Sequence, residues 1–142
     1  DTDGRIINQM IDEFVKVNPE RCVVFTSMGQ LRYLSALQFC TAVMGNSSSG
    51  IIEVPSFGIP TINIGERQRG RVSAETVINC GNDTEEIEEA LQQALSVEFR
   101  NAIRYCKNPY EGENTSEKII KIIKHSLNQG IEVKKKFYDM GE

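Results

Sequence analysis

Three stretches of this sequence gather residue types able to bind an anion or a polyol. The first is Gly45-Asn46-Ser47-Ser48-Ser49-Gly50, a small-residue loop set between an apolar run and the next element. Two glycines let the backbone turn tightly. Three serines offer hydroxyl donors, and a helix starting at Ile51 would leave free N–H groups and a positive dipole end beside them. Together these can hold a phosphate. They equally suit a loop in which one serine caps the helix and the others fit the turn. The spacing matches neither a P-loop nor the G-x-G-x-x-G fingerprint. The second is Glu53, expected in the first turn of a short helix over Ile51–Ser56. A carboxylate there complements the dipole, and it can also accept on both oxygens from the two hydroxyls of a ribose. The third is the set Arg67, Arg69 and Arg71 in the charged loop Glu66–Arg71. Alternate spacing in an extended loop puts all three on one side, and guanidinium forks suit phosphate. For two of the three, a plain solvated surface is the expectation.

The remaining chemistry-bearing residues point elsewhere. His125 is the only histidine and falls among Lys121, Lys124 and Ser126 on the last helical segment. It supports no Ser/His/Asp or Cys/His set. Asp12-Glu13, Glu85-Glu86 and Glu88-Glu89 read as solvated helix faces. Cys22, Cys40, Cys80 and Cys106 are far apart, form no C-x-x-C pair and offer no metal-ligand spacing. Cys22, Cys40 and Cys80 lie in or beside apolar stretches, where a free thiol acts as a small core residue. We therefore expect reduced cysteines, a cytoplasmic protein, and neither metal nor cofactor.

The elements that must position these loops follow from apolar period. Arg5–Val17 repeats Ile6, Ile7, Met10, Ile11, Phe14 and Val17 at helical spacing and stops at Asn18-Pro19. Cys22–Thr26 is short, β-branched and aromatic, and reads as a buried strand. Leu31–Phe39 returns to helical period. Ala42–Met44, Pro60–Ile64 and Glu75–Asn79 are three more short strands, each followed by glycine within two residues. Asp83 with Glu86 makes a capping-box-like start for a helix through Leu95. Val97–Cys106 continues helical and breaks at Asn108-Pro109. Pro109–Thr115 forms a joint before a last helix over Ser116–Leu127. Alternating helices and uninterrupted apolar strands predict one α/β domain, a parallel sheet covered on both faces. In such sheets ligands bind beyond the carboxyl ends of the strands, where Ser27–Gly29, Gly45–Gly50, Gly65–Arg71 and Gly81–Asp83 should share one rim.

Composition narrows the classes. The 142 residues are 39% hydrophobic and 25% charged, an ordinary globular balance. Sixteen basic against twenty acidic residues give −4, which argues against nucleic acid as partner. No apolar run approaches the roughly 18 residues of a membrane span, and no charged-then-apolar leader opens the chain. Its first residue is Asp1 rather than Met, so processing, trimming and membership of a longer protein are all open.

The stretch Gly45 to Arg71, GNSSSGIIEVPSFGIPTINIGERQRGR, resembles UDP-N-acetylglucosamine 2-epimerases, most of all the hydrolysing branch that makes N-acetylmannosamine for sialic acid synthesis. The opening DTDGR, the turn Asn108-Pro109-Tyr110 with Gly112, and Ser116-Glu117-Lys118-Ile119 are similar to the same family. The resemblance implies a GT-B-like fold of two Rossmann-like domains with the active site between them, of which residues 1–142 would be the C-terminal, UDP-binding one and about 108–127 the joint and crossing helix. It assigns Ser47 and Ser48 to the phosphate loop, with Gly45, Asn46, Ser49 and Gly50 around them. It assigns Glu53 to the ribose, Arg67 to the phosphate side, and the backbone at Met28 to the uracil. The family's catalytic acids belong mainly to the first domain, so no catalytic residue is expected here. The implied partners are a UDP-sugar, the missing N-terminal domain and, in the full-length form, further copies of itself.

The implied reaction eliminates UDP across C1 and C2 and then adds water to the resulting glycal. The non-hydrolysing branch usually carries an Asp-Ser-Gly-Gly loop and an Arg-Pro-Glu motif. This sequence has Asn46-Ser47-Ser48-Ser49 and Glu66-Arg67-Gln68 instead, which favours hydrolysis. Open beside it are a non-hydrolysing epimerase, a hydrolase of a UDP-linked diacetamido sugar, a glycosyltransferase half and a nucleotide-binding module without catalysis.

Overall fold

A computed structural model describes residues 4–130. Helix α1 covers Gly4–Val17 and α2 Gly29–Leu37, followed by strand β1, Val43–Gly45. Helix α3, Ser49–Ile52, runs into a 3-10 turn at Val54–Phe57, then strand β2 at Thr61–Ile64 and β3 at Val77–Cys80. Helices α4 at Thr84–Leu95, α5 at Val97–Ala102 and α6 at Thr115–Gln129 complete the described order.

The strands pair β1-β2-β3, all parallel, with Gly45 opposite Asn63 and Ile64 opposite Cys80. Parallel pairing sends every strand's carboxyl end to one rim. Below that rim, Ile62 and Ile78 meet Ala90 and Ala94 of α4, with Ala42, Ile64, Leu91 and Phe99 packed around them. Alanines at the contact let α4 lie close to the sheet, and each buried isoleucine contributes about 1.5–3 kcal/mol. The opposite face is covered by α3 and the 3-10 turn, where Ile51, Val54 and Pro55 are buried. The sheet is thus an α/β, Rossmann-like layer with helices on both faces, as the strand pattern predicts.

Three expectations do not hold. Cys22–Thr26 is not a strand, and Val23 and Phe25 are 73% and 58% exposed. A strand is held by its ladder, and among the described residues nothing pairs with this run. The outer edge of the three-residue β1 is likewise unpaired there. Cys40 is exposed rather than in the core. Helices α1 and α6 form where the period predicts, yet neither buries a residue against the described chain, and Ile6, Met10 and Phe14 of α1 stay exposed. The helical run after α4 is also split. Ser96, extended at φ −65° and ψ 147°, ends α4 and accepts the Phe99 amide to start α5.

The closest approach across the sheet is between α3 and β2. A Cβ on Gly50 would stand 2.7 Å from Thr61 Cγ2, while Thr61 Oγ1 donates to the Gly50 carbonyl at 2.8 Å. Threonine is stiff at χ1, so the methyl cannot swing away. Gly50→Ala is expected to lower stability by about 1–3 kcal/mol through overpacking, read as a shifted denaturant midpoint. Thr61→Ser, which removes the methyl and keeps the hydroxyl, should recover part of that loss in the double variant. Additive losses would show that the clash is not the cause.

Candidate functional site

The loop Asn46–Ser48 leaves β1 at the rim and turns at once into α3. Ser47 Oγ accepts the Ser49 amide at 3.3 Å, a local side-chain turn. Ser48 occupies the N-cap position but makes no capping hydrogen bond. Of the two uses the sequence allows for these serines, helix capping by Ser48 is therefore not taken. The amides of Ser47 and Ser48 find no acceptor among the described residues. Ser49 is spent on structure, its hydroxyl 2.6 Å from Tyr33 Oη of α2. Gly50 is the tight packing point already described.

Glu53 requires a correction. It is not in the first turn of a helix. The helix begins earlier, at Ser49, and is only four residues long, so Glu53 is its C-cap at φ −103° and ψ −45°. Pro55 has no amide to continue an α-helix, and the chain tightens into the 3-10 turn instead. A carboxylate at the carboxyl end of α3 gains nothing from that helix's dipole. Glu53 is half-buried, and its carboxylate has no hydrogen-bond or ion-pair partner among the described residues. Its location is fixed by its neighbour. Asn108 is buried, and its Nδ2 donates to the Ile52 carbonyl and to Ser56 Oγ, both at 2.8 Å. The Asn108 Oδ1 accepts the Tyr110 amide at 2.9 Å. The Asn108-Pro109-Tyr110 turn is thereby docked under the rim.

The arginine loop is also different from expectation. It is not extended. The Arg69 amide bonds to the Glu66 carbonyl and the Arg71 amide to that of Gln68, so the segment is a run of turns. The three guanidinium groups are not equivalent. Arg69 Nη1 lies 2.9 and 2.8 Å from the two oxygens of Glu66, an exposed pair of little energetic weight. Arg67 and Arg71 are exposed and have no ion-pair partner among the described residues.

Residues between and beside the expected ones carry the loops. Gln68 is 6% exposed, and its Nε2 donates to the Asn46 carbonyl at 2.7 Å. Asn63 on β2 donates to Asn79 Oδ1 on β3 at 2.8 Å, a polar rung at paired positions. An asparagine inside an otherwise apolar strand was the available signal for that rung. Nothing in the local sequence marks Gln68, which sits among charged residues and reads as solvated.

A cavity of about 500 Å³ opens at the carboxyl ends of β2 and β3, lined among others by Asn63, Gln68, Arg69, Arg71, Asn79 and Glu86. Met28, Ser47, Ser48, Glu53 and Arg67 are outside this lining. Several of the cavity's polar groups are already spent, Arg69 on Glu66 and the Gly81 amide on Glu86. Arg71 lines the cavity without an ion-pair partner among the described residues, and the loop after β1, which adjoins the cavity through Gln68, holds two further unspent donors, the Ser47 and Ser48 amides. Met28 precedes α2 as its N-cap, at φ −89° and ψ −18°. Helix α2 reaches the same loop through Tyr33. His125 is exposed on α6 and joins none of these groups. Among the described residues no cluster of three or more His, Cys, Asp or Glu could hold a metal, and no helix is long and apolar enough to cross a membrane.

Comparison with known proteins places this arrangement. The pattern of the family described as UDP-N-acetylglucosamine 2-epimerase matches residues 1–124. A GDP/UDP-N,N'-diacetylbacillosamine 2-epimerase (hydrolyzing) of Campylobacter jejuni is 34% identical over 140 residues, 99% of this chain and 36% of that protein. The polysialic acid biosynthesis protein P7 of Escherichia coli is 34% identical over 142 residues, 100% of this chain and 36% of its own. A UDP-N-acetylglucosamine 2-epimerase of Neisseria meningitidis is 28% identical over 134 residues, 92% of this chain and 34% of that one. The chain therefore spans about a third of the length of the curated relatives it matches.

Two side chains at the rim give checks independent of ligand. Burial, and secondarily the Glu86 carboxylate, push the Cys80 thiol above its ordinary value. The fold thus favours the neutral thiol, a contribution present below the ordinary thiol range and lost as pH rises through the raised value. At pH 8 iodoacetamide should label exposed Cys40 well before Cys80, because the thiolate is the nucleophile. Mass spectrometry of the digested chain reads the order. Asn108→Ala should cost about 1–3 kcal/mol, the penalty for leaving the Ile52 carbonyl without its buried donor, as measured by denaturant unfolding.

Proposed function

The chain belongs to the UDP-N-acetylglucosamine 2-epimerase family, and we propose that it is the UDP-binding half of a hydrolysing member, one that turns UDP-N-acetylglucosamine and water into N-acetylmannosamine and UDP. In this reading the free amides of Ser47 and Ser48, with Arg67, hold the diphosphate. Glu53 accepts the ribose hydroxyls, and the backbone at Met28 meets the uracil. The catalytic acids come from a preceding α/β domain of a longer protein, closed over the rim in a GT-B-like arrangement. UDP leaves by elimination across C1 and C2, and water then adds to the glycal to give the free sugar. Donors already fixed at the leaving diphosphate stabilise the charge that develops there.

One observation carries the proposal. Glu53 is half-buried, its carboxylate has no partner among the described residues, and the Ile52 carbonyl just before it is held by Asn108. A carboxylate on anchored backbone that the fold leaves unpaired is suited to a ligand. The printed name of the Campylobacter relative favours a second substrate for the same half, a UDP-linked diacetamido sugar.

Titration calorimetry of this chain with UDP should show weak, micromolar-to-millimolar binding, since half the cleft is absent and little of the ligand is enclosed. Incubation of the chain alone with UDP-N-acetylglucosamine should release no UDP above a no-protein control. Glu53→Gln should weaken UDP and uridine by about ten- to a hundredfold, the loss of charge-assisted hydrogen bonds worth roughly 1.5–3 kcal/mol. With 2′,3′-dideoxyuridine, which has no hydroxyls to donate, the effect should shrink. An equal loss with both nucleosides would remove Glu53 from the ribose.

A further inference from the structure

Among the described residues, Gln68 is the one buried side chain that joins the loop after β1 to the turn after β2. It sits beside Arg67 in the turn after β2, and its Nε2 reaches across 22 residues of sequence to the Asn46 carbonyl at 2.7 Å. It is 6% exposed, and its Oε1 is buried without any hydrogen-bond partner. An unpaired buried carbonyl is a standing cost. Were Gln68 present only to fill space, methionine would fill nearly the same volume without that cost. What the amide supplies and an apolar side chain cannot is the bond to Asn46.

That bond has a specific geometric consequence. Asn46 immediately precedes Ser47 and Ser48, whose amides are unspent. Its own side is exposed and offers no other anchor at its carbonyl. The rest of the segment is tied elsewhere: Ser49 to Tyr33, Gly50 to Thr61, and Ile52 to Asn108. Removing the Gln68 contact would therefore free the peptide leading into Ser47 while leaving the anchors around Glu53 in place. The same contact also sets the spacing between the Ser47–Ser48 amides and the turn that carries Arg67.

We propose that Gln68 is a positioning residue for diphosphate recognition: it locks the loop after β1 to the turn after β2 so that the Ser47 and Ser48 amides and Arg67 face one anion together. The inference rests on the nucleotide reading above and adds to it a residue that does not itself touch the ligand.

The test uses Gln68→Met and Gln68→Leu in this chain, with UDP and uridine as probes. Both variants are of similar volume, and neither carries a donor for Asn46 or a charge that would itself repel a diphosphate. Denaturant unfolding first establishes that each variant is folded, and either one suffices. UDP affinity should fall by roughly three- to tenfold, the loss expected for one hydrogen bond, while uridine stays within about twofold. Hydrogen exchange should quicken in the peptide covering 45–49 and not in the one covering β2. A purely structural role predicts equal weakening of both ligands, and that result overturns the proposal. Unchanged UDP binding by a folded variant overturns it too. If wild type binds UDP no more tightly than uridine, the diphosphate reading itself fails, and this inference falls with it. That outcome is visible before any variant is made.

Discussion

The rim depends on one close contact, the backbone of Gly50 laid against Thr61 at the start of β2. With no Cβ at residue 50, α3 can settle onto the sheet until the Thr61 methyl occupies the space a side chain would take. The Thr61 hydroxyl then meets the Gly50 carbonyl, so the approach costs no unsatisfied polar group. Everything at the carboxyl end of β1 inherits its position from that depth. Asn46–Ser48 has only three residues to connect a strand to a helix already fixed on the sheet. Lifting α3 would move the Ser47 and Ser48 amides, the Glu53 carboxylate and the turn that receives Asn108.

The same device recurs around the site. Main-chain carbonyls in the loops and in the short helix α3 are met by side-chain donors from other segments: Gly50 by Thr61, Ile52 by Asn108, Asn46 by Gln68 and Val72 by Tyr110. Loops and the last turn of a helix leave carbonyls that the local backbone does not satisfy. Each borrowed donor adds about 0.5–1.5 kcal/mol and, more to the point, fixes one loop against another. The covalently remote segment at 108–110 thus belongs to the rim as much as the strands do.

The sequence showed the parts that follow from period and left hidden those that follow from contact. Three of the four expected strands, all six helical regions and the parallel α/β class were legible, because apolar period reports the type of element, although α1 and α6 bury no residue against the described chain. Cys22–Thr26 misled because β-branched composition marks a segment fit for a ladder without showing that a neighbour is there to form one. Glu53 was misplaced because Ser49 and Gly50 lack helical signal, so the helix seemed to begin two residues late. Gln68 was invisible for a related reason: a glutamine flanked by arginines looks solvated until the chain turns it inward. The loop residues Ser47 and Ser48 were legible from type and order, but which hydroxyl and which amides remain unspent is a property of the turn.

Helix α3 is too short for its dipole to do much for a diphosphate. Four residues sum few peptide dipoles, and the field falls off within a turn. In the proposed reading, charge stabilisation comes from discrete donors: the Ser47 and Ser48 amides and the Arg67 guanidinium. Discrete donors are effective only when they need not reorganise as charge appears. On that reading, the requirement accounts for a loop of small residues bracketed by Tyr33, Thr61, Gln68 and Asn108. Serine and glycine let the backbone come close to an anion, and the surrounding polar anchors remove the freedom those residues would otherwise have. Close approach and rigidity thus come from different residues. In the proposed reading the Ser47–Ser48 amides make the contact, while Gln68 holds the peptide before them and Asn108 holds the Ile52 carbonyl from 56 positions away in the chain.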